Sequence, residues 1–376
     1  MDIKLDFYGI GIEVISSNTR IIENIGRDFS YFKPESKNRE STRIHIEVFR
    51  ESPPYHVIPK GARVTFHTKD TVNYDTGKLR FSNHLGRTLT IYDFSNEIGR
   101  IYSRDESLLH ERTYLLILSR IGALLDRKGI HRVHALGISL NNKATLCLLP
   151  MRGGKTTLGL ELIKEEDISL ISDEIPSITG DGKILPFPLR VGVLEGAKLD
   201  IPSKYLRKFI RSQYSPKTLI DIDFFQGKIS KLCNPYIVLI GQRGFSKETR
   251  LKQISKLRTI LPFAVNSVLG RDLPHTVSYF LRFDLKSVLS YIKILISRFI
   301  ISCKVIWRAK TYRFYMGTDP GENARFLANF LRMELREQQL RDIVQNPWRY
   351  IERGGRLKRE SYMSVFSIKR DYRFKS

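Results

Sequence analysis

The sequence predicts an α/β fold, α+β over the whole chain, in which a domain built on one strand, glycine loop and helix follows a smaller β-rich N-terminal module. Three observations predict it. Apolar and polar residues alternate with period two through much of residues 1–104. An apolar run, Ala144–Leu149, then meets Gly153-Gly154 and a helical repeat, and cations crowd the C-terminal half. These changes imply boundaries at 1–104 for the module, 105–338 for the domain and 339–376 for a basic, aromatic tail.

The bulk composition narrows the class. At 376 residues the chain can bury a large core and divide into two domains, and 41% hydrophobic with 11% aromatic content is that of a globular protein, not a disordered one. Cys147, Cys233 and Cys303 are odd in number and widely spaced, which gives neither a disulfide framework nor metal-ligand spacing; a reducing cytoplasm is the expectation. Residues 1–6 lack a basic flank before a long apolar core, so no signal peptide is expected. The most apolar segment, Val288–Trp307, is interrupted by Lys293, Arg298 and Lys304, which predicts a soluble chain without a membrane span. Net charge is +24, and Lys plus Arg exceed Asp plus Glu by 2 over residues 1–200 but by 22 over 201–376. Such asymmetry suits an acidic partner, whether nucleic acid, an acidic peptide or a membrane surface; a solvated basic surface fits the charge equally well.

In chain order, Ile44–Phe49, Ala62–His67, Lys78–Phe81 and Thr88–Tyr92 read as half-buried strands, and Asn18–Phe29 as a helix. His45, His56, His67 and His84 are scattered through the module and read as sheet or surface histidines. From 105 to 129, Leu108, Leu109, Leu115, Ile117, Leu118, Ile121, Leu124 and Leu125 repeat at helical spacing, and Lys128-Gly129 supply a basic last turn and a stop. A strand at Val133–Leu140 and an Asn141-Asn142 hairpin turn lead into Ala144–Leu149.

The stretch Arg152-Gly153-Gly154-Lys155-Thr156-Thr157 then opens a helix. Glycines allow backbone N–H groups to turn inward at a helix N-terminus, where aligned peptide dipoles favour an anion. In a phosphate loop the lysine reaches the terminal phosphates and the next hydroxyl holds magnesium, roles that fall to Lys155 and Thr156. The first glycine of the usual G-x-x-x-x-G-K-[ST] pattern falls at position 149, which is Leu. Taken alone, the motif therefore also reads as a glycine turn before an ordinary helix. Downstream, the apolar run Ile168–Ser172 ends in Asp173 and Glu174, where phosphoryl transfer needs one group for a metal and one for a proton. A short hairpin over 177–184 precedes Pro186-Phe187-Pro188, and Arg190 is a candidate for a substrate phosphate or a surface arginine.

His134, Gly153–Leu158, Ser172-Asp173-Glu174 and Pro186-Phe187-Pro188 together resemble the catalytic domain of HPr kinase/phosphorylase and its relatives. The Lys-Thr-Thr-Leu and Ser-Asp-Glu variants are also similar to phosphoenolpyruvate carboxykinase. The resemblance extends over roughly residues 105–335, with 311–317 and 319–324 similar to the last strand and helix of the HPr-kinase-related proteins. It implies an ATP- and Mg2+-dependent kinase with a hydroxyl acceptor, most readily Ser or Thr of a peptide or protein. It implies Arg152, Gly153, Gly154, Lys155, Thr156 and Thr157 around the nucleotide phosphates and Thr156 on magnesium. It further implies Asp173 as base, Glu174 as metal support beside it and His134 near the transferring phosphate. Glu174 stands where the bifunctional enzyme has a second Asp. His134, on an apolar strand, also reads as a core histidine.

Beyond residue 200, strands are expected at 238–240 and 305–307 and helices at 247–261, 285–296 and 323–338. Residues 349–376 carry nine Lys or Arg against three acids, interleaved with Tyr350, Tyr362, Phe366, Tyr372 and Phe374. That pattern suits a single-stranded nucleic acid or an acidic peptide, or equally a solvated tail. Two other function classes therefore stay open: a nucleic-acid-binding P-loop protein or RNA/DNA kinase using the basic half, and a carboxykinase-like enzyme on a small acid. Under any of these readings the chain could assemble as a homo-oligomer.

Overall fold

A computed structural model of the chain describes residues 1–34, 42–150, 153–197, 199–210, 215–244, 246–267 and 285–345. It is mixed α/β, with four sheets and six α-helices among the described residues. The N-terminal sheet comprises β1 (Asp2–Asp6), β2 (Ile10–Ser16), β3 (Thr42–Phe49), β4 (Arg63–His67), β5 (Thr71–Thr76), β6 (Leu79–His84), β7 (Thr88–Asp93) and β8 (Ile98–Tyr102), in the order β1-β2-β3-β8-β7-β6-β5-β4. Helix α1 (Thr19–Asp28) starts where Asn18 caps it, its side chain accepting from the N–H groups of Arg20 and Ile21.

Helix α2 (Glu106–Arg127) is the spine. Asp105 caps it through Leu108 N at 3.1 Å, and 17 of its 22 residues are buried, so neighbours cover it on nearly every side. Leu109, Leu116, Ile121 and Leu125 pack with Ile44, Ile46 and Ile101 of the sheet and with Ile21 and Ile25 of α1. Each such side chain contributes about 1.5–3 kcal/mol on leaving water.

Next come β9 (His131–Arg132), β10 (Leu136–Leu140), β11 (Lys143–Leu148), α3 (Lys155–Leu162), β12 (Ile168–Ser172), β13 (Ser177–Ile178), β14 (Ile184–Leu185), β15 (Val191–Leu194), β16 (Leu206–Phe209), β17 (Lys217–Ile220), β18 (Asn234–Arg243) and β19 (Arg250–Gln253). The chain continues through α4 (Lys256–Ser267), α5 (Leu285–Arg308), β20 (Lys310–Met316) and α6 (Pro320–Gln345). The central sheet runs β12-β10-β11-β18-β20-β19, flanked by two three-stranded sheets, β14-β13-β9 and β15-β17-β16.

The expected hairpin turn is present: Asn141 and Asn142 both take positive φ, 50° and 58°, and Leu140 pairs with Lys143. Residues 305–307 are not a strand. Val305 and Ile306 close the buried face of α5, where Ile301 and Ser302 share their helical spacing. A three-residue apolar run does not distinguish a strand from one turn of a buried helix. The helix expected at 247–261 begins only at Lys256, because Arg250–Gln253 pair with β20 as β19.

Sheet topology decides where a ligand can sit. Strand β10 is antiparallel to both β11 and β12, while β18 is parallel to β11 and β20 to β18. Hence β11, β12, β18 and β20 point the same way and end at one edge, and β10 begins there. The carboxyl ends of parallel strands are where open α/β sheets form their ligand crevices.

Two groups of contacts stand out among those of the described residues that join the domain around this sheet to the N-terminal module, beside single pairs such as Ser30 with Asp223. Phe187 of the Pro-Phe-Pro segment packs on Phe7 and Phe32 with ring centroids 5.9 and 4.9 Å apart, and Tyr8 donates to the Pro186 carbonyl. The second is an ion cluster around Asp28, which is wholly buried and paired with Arg190, Arg207 and His110.

Candidate functional site

The site lies on the segment between β11 and α3. Leu148 ends the strand, and the Pro150 carbonyl accepts from Gly153 N at 2.9 Å, closing a tight turn. A Cβ at position 153 would stand 2.8 Å from that carbonyl oxygen, so only glycine fits. Gly154 then takes φ +92° as the residue before α3, a conformation that side chains disfavour. The first-turn N–H groups of any α-helix have no carbonyl within the helix, and those of α3 begin at the crevice edge.

Lys155, the first residue of α3, places Nζ 2.5 Å from His134 Nε2 and 2.9 Å from the Leu149 carbonyl. For the lysine to donate, His134 must be neutral with its proton on Nδ1. His134 is 3% exposed in the segment entering β10, and its N–H donates to Asn266 O at the end of α4.

Thr156 Oγ1 donates to Asp173 Oδ2 at 2.8 Å, so the second residue of α3 touches the residue just past β12. Desolvation pushes the Asp173 carboxyl up to about 6; the Thr156 hydrogen bond opposes it, the Glu174 carboxylate adds to it, and Lys155 and Lys217 oppose it. Gly159 keeps this approach open, since a Cβ there would meet Leu136 Cδ1 at 2.9 Å, with Asp173 Oδ1 at 3.6 Å. Glu174 is exposed beside Asp173, and its carbonyl accepts from Ala135 N at 3.1 Å, tying the β12 end to the segment that carries His134.

His134, Gly153, Gly154, Lys155, Thr156, Asp173 and Glu174 therefore converge at one edge from three separated stretches of chain. Thr157 is exposed on the first turn of α3, and Arg152 lies outside the described residues. Arg190 is not brought to this group. Its guanidinium pairs with buried Asp28 and lies 3.8 Å from the Tyr114 ring centroid and 4.6 Å from that of Phe209. The reason is electrostatic: a carboxylate removed from water requires a fixed counter-charge, and Arg190 and Arg207 supply it. The field of these cations, with that of His110, holds Asp28 far below the usual carboxylate range against its burial.

Sequence reasoning passed over three contributors. Lys217 of β17 acts on Asp173 across the sheet interface, and nothing in its local pattern marks it. Met316, at the end of β20, closes against Gly154, where a Cβ would lie 3.4 Å from its Cε. Gly241 of β18 is the third: a Cβ there would stand 2.4 Å from Leu149 Cδ2. Leu149, in the place of the motif's first glycine, is 1% exposed and fills the space that Gly241 leaves. Its backbone carbonyl still serves Lys155.

The oxygen donors suit a hard cation. Thr156 and Asp173 offer a hydroxyl and a carboxylate in contact, and Mg2+ is usually held by one or two such groups together with substrate phosphates and water. Among the described residues no group of three or more His, Cys, Asp or Glu side chains forms a cage of its own. No protein-family model matches the chain, and no curated protein matches it.

Proposed function

We propose that the chain is a phosphotransferase of HPr-kinase-related type, dependent on ATP and magnesium, that transfers a phosphoryl group to a Ser or Thr hydroxyl of a peptide or protein. The observation that carries this reading is the Thr156–Asp173 contact, with Lys155 one residue away on the N-terminal turn of α3. A metal-coordinating hydroxyl, a proton acceptor and a phosphate-seeking cation thereby occupy a single edge.

Bound ATP with its magnesium would supply an activated γ-phosphoryl group, ADP leaving as the bond from its bridging oxygen to the γ-phosphorus breaks. The backbone donors of residues 154–156 would cradle its phosphate oxygens, with Lys155 turning from the Leu149 carbonyl onto them. Asp173 orients the acceptor hydroxyl and takes its proton. With a pKa of about 6 it is roughly nine-tenths ionised at pH 7, yet basic enough to hold the proton as the new bond to phosphorus forms. Glu174, exposed beside Asp173, would add negative charge on the solvent side and help hold the magnesium with Thr156. His134 keeps Lys155 aimed at the edge before nucleotide arrives. Incubating the purified chain with γ-labelled ATP and a peptide library tests the reading. Labelled phosphoserine or phosphothreonine that disappears in Asp173→Asn is the expected result; equal transfer by that variant overturns it.

A further inference from the structure

Among the described helices α5 carries the greatest number of exposed large apolar side chains. Val288, Ile292, Leu295, Ile296, Phe299 and Ile300 are 38–54% exposed, and at 100° per residue they occupy one arc of roughly 140°. The opposite side is fastened to the protein. Arg298 pairs with Asp126 at 2.6 Å, Ser297 Oγ meets His131 Nε2 at 2.8 Å, and Ser302 meets Ser267 of α4 at 2.7 Å. The arc therefore faces outward by construction.

Charge indicates what covers this face. The 24 residues of α5 include five Lys or Arg and no Asp or Glu. Lys293 and Lys304 stand along one border of the arc and, with Ile296 and Ile300, line an open hollow of about 390 Å³. Lys304 is bonded to the neutral Gly180 carbonyl, which leaves its charge uncompensated by that contact. A second copy of the chain would bring lysine against lysine, with no acid on the helix to separate them, between two bodies each of net charge +24. The same charge pattern is complementary to a layer of lipid phosphates. No helix of the described residues is long and apolar enough to cross a membrane, so the fit is to the surface. An amphipathic helix with aliphatic and aromatic residues on one face and cations at its border lies in the head-group plane.

We propose that α5 seats the protein on an anionic lipid surface, with the six apolar side chains inserted among the head groups and Lys293 and Lys304 on lipid phosphates. The proposal is independent of the phosphotransfer reading. The test is co-sedimentation of the full chain with vesicles of phosphatidylcholine alone or mixed with phosphatidylglycerol. Two double variants accompany the native chain, Ile292→Glu with Phe299→Glu and Lys293→Gln with Lys304→Gln. All four positions are surface-facing, and circular dichroism verifies that the variants fold. The expected result is strong pelleting only with phosphatidylglycerol, lost in the Glu pair and reduced roughly thirtyfold in the Gln pair. Failure of the native chain to pellet with anionic vesicles overturns the proposal. Pelleting that both variants retain also overturns it, by placing the contact elsewhere. So does a native dimer in ultracentrifugation that the Glu pair makes monomeric without any lipid binding, or binding of an acidic peptide to this face in place of lipid.

Discussion

Replacing Asp173 by asparagine separates what this carboxyl does for the fold from what it does for chemistry. Its folded pKa, about 6, stands some two units above the ordinary carboxylate value, so the native state binds this proton more tightly than the unfolded chain does. Ionising Asp173 therefore costs stability. The cost is absent below about pH 4, grows between pH 4 and 6, and is complete above pH 6, where two units amount to about 3 kcal/mol at most. Asparagine keeps the shape and can still accept from Thr156, but it has no charge to desolvate. The expected outcome at pH 8 is a variant up to about 3 kcal/mol more stable than the native chain, the gain vanishing as pH approaches 4. Transfer activity should fall by roughly 10²–10⁴, the usual contribution of a positioned base. In the native chain kcat/KM should rise through pH 6, and the variant should lack that limb. Urea unfolding at a series of pH values together with a pH–rate profile measures both. An Asn variant that is less stable at pH 8, or equally active, refutes the assigned environment or the assigned role.

Three other outcomes follow from the geometry. On the proposed reading Lys155→Ala should weaken nucleotide binding and transfer together, read by fluorescent-nucleotide titration, because one cation would serve the phosphates in both ground and transition states. Arg190→Ala leaves Asp28 with one fewer buried partner and should cost about 3–5 kcal/mol in urea unfolding, while kcat per folded molecule stays near the native value. Gly241→Ala should destabilise strongly, since its Cβ would stand 2.4 Å from Leu149, and adding Leu149→Ala should recover part of the loss, so the double-mutant cycle is non-additive.

Local rules made the loop legible and left its surroundings obscure. Asn141-Asn142 and Gly153-Gly154 were readable because positive φ, or the absence of a Cβ, is written in the residue type itself. The capped starts of α1 and α2 and the apolar repeat of α2 were readable for the same reason. Strand order was not: β12 lies next to β10 and two places from β11, a pairing that no local pattern encodes. Arg190 shows the same limit. Its place in the chain, just after Pro-Phe-Pro, suited a phosphate ligand, yet its charge is used on Asp28, 162 residues earlier. Lys217 reaches the site through β17 from a segment with no motif.

Position 149 joins these two levels. In the usual pattern this position is glycine, which brings no side chain into the loop. Here Leu149 turns its side chain toward β18, into the gap left by Gly241, and this apolar plug lies beneath the loop. The glycine that makes room for Leu149 lies on the neighbouring parallel strand, about 90 residues later, where a linear pattern cannot find it. A buried leucine also fixes the strand-to-loop junction more firmly than glycine would, because filling that gap contributes packing where glycine contributes backbone freedom. The departure that weakened the motif on paper is thus compensated across the sheet, and the backbone carbonyl that holds Lys155 remains in place.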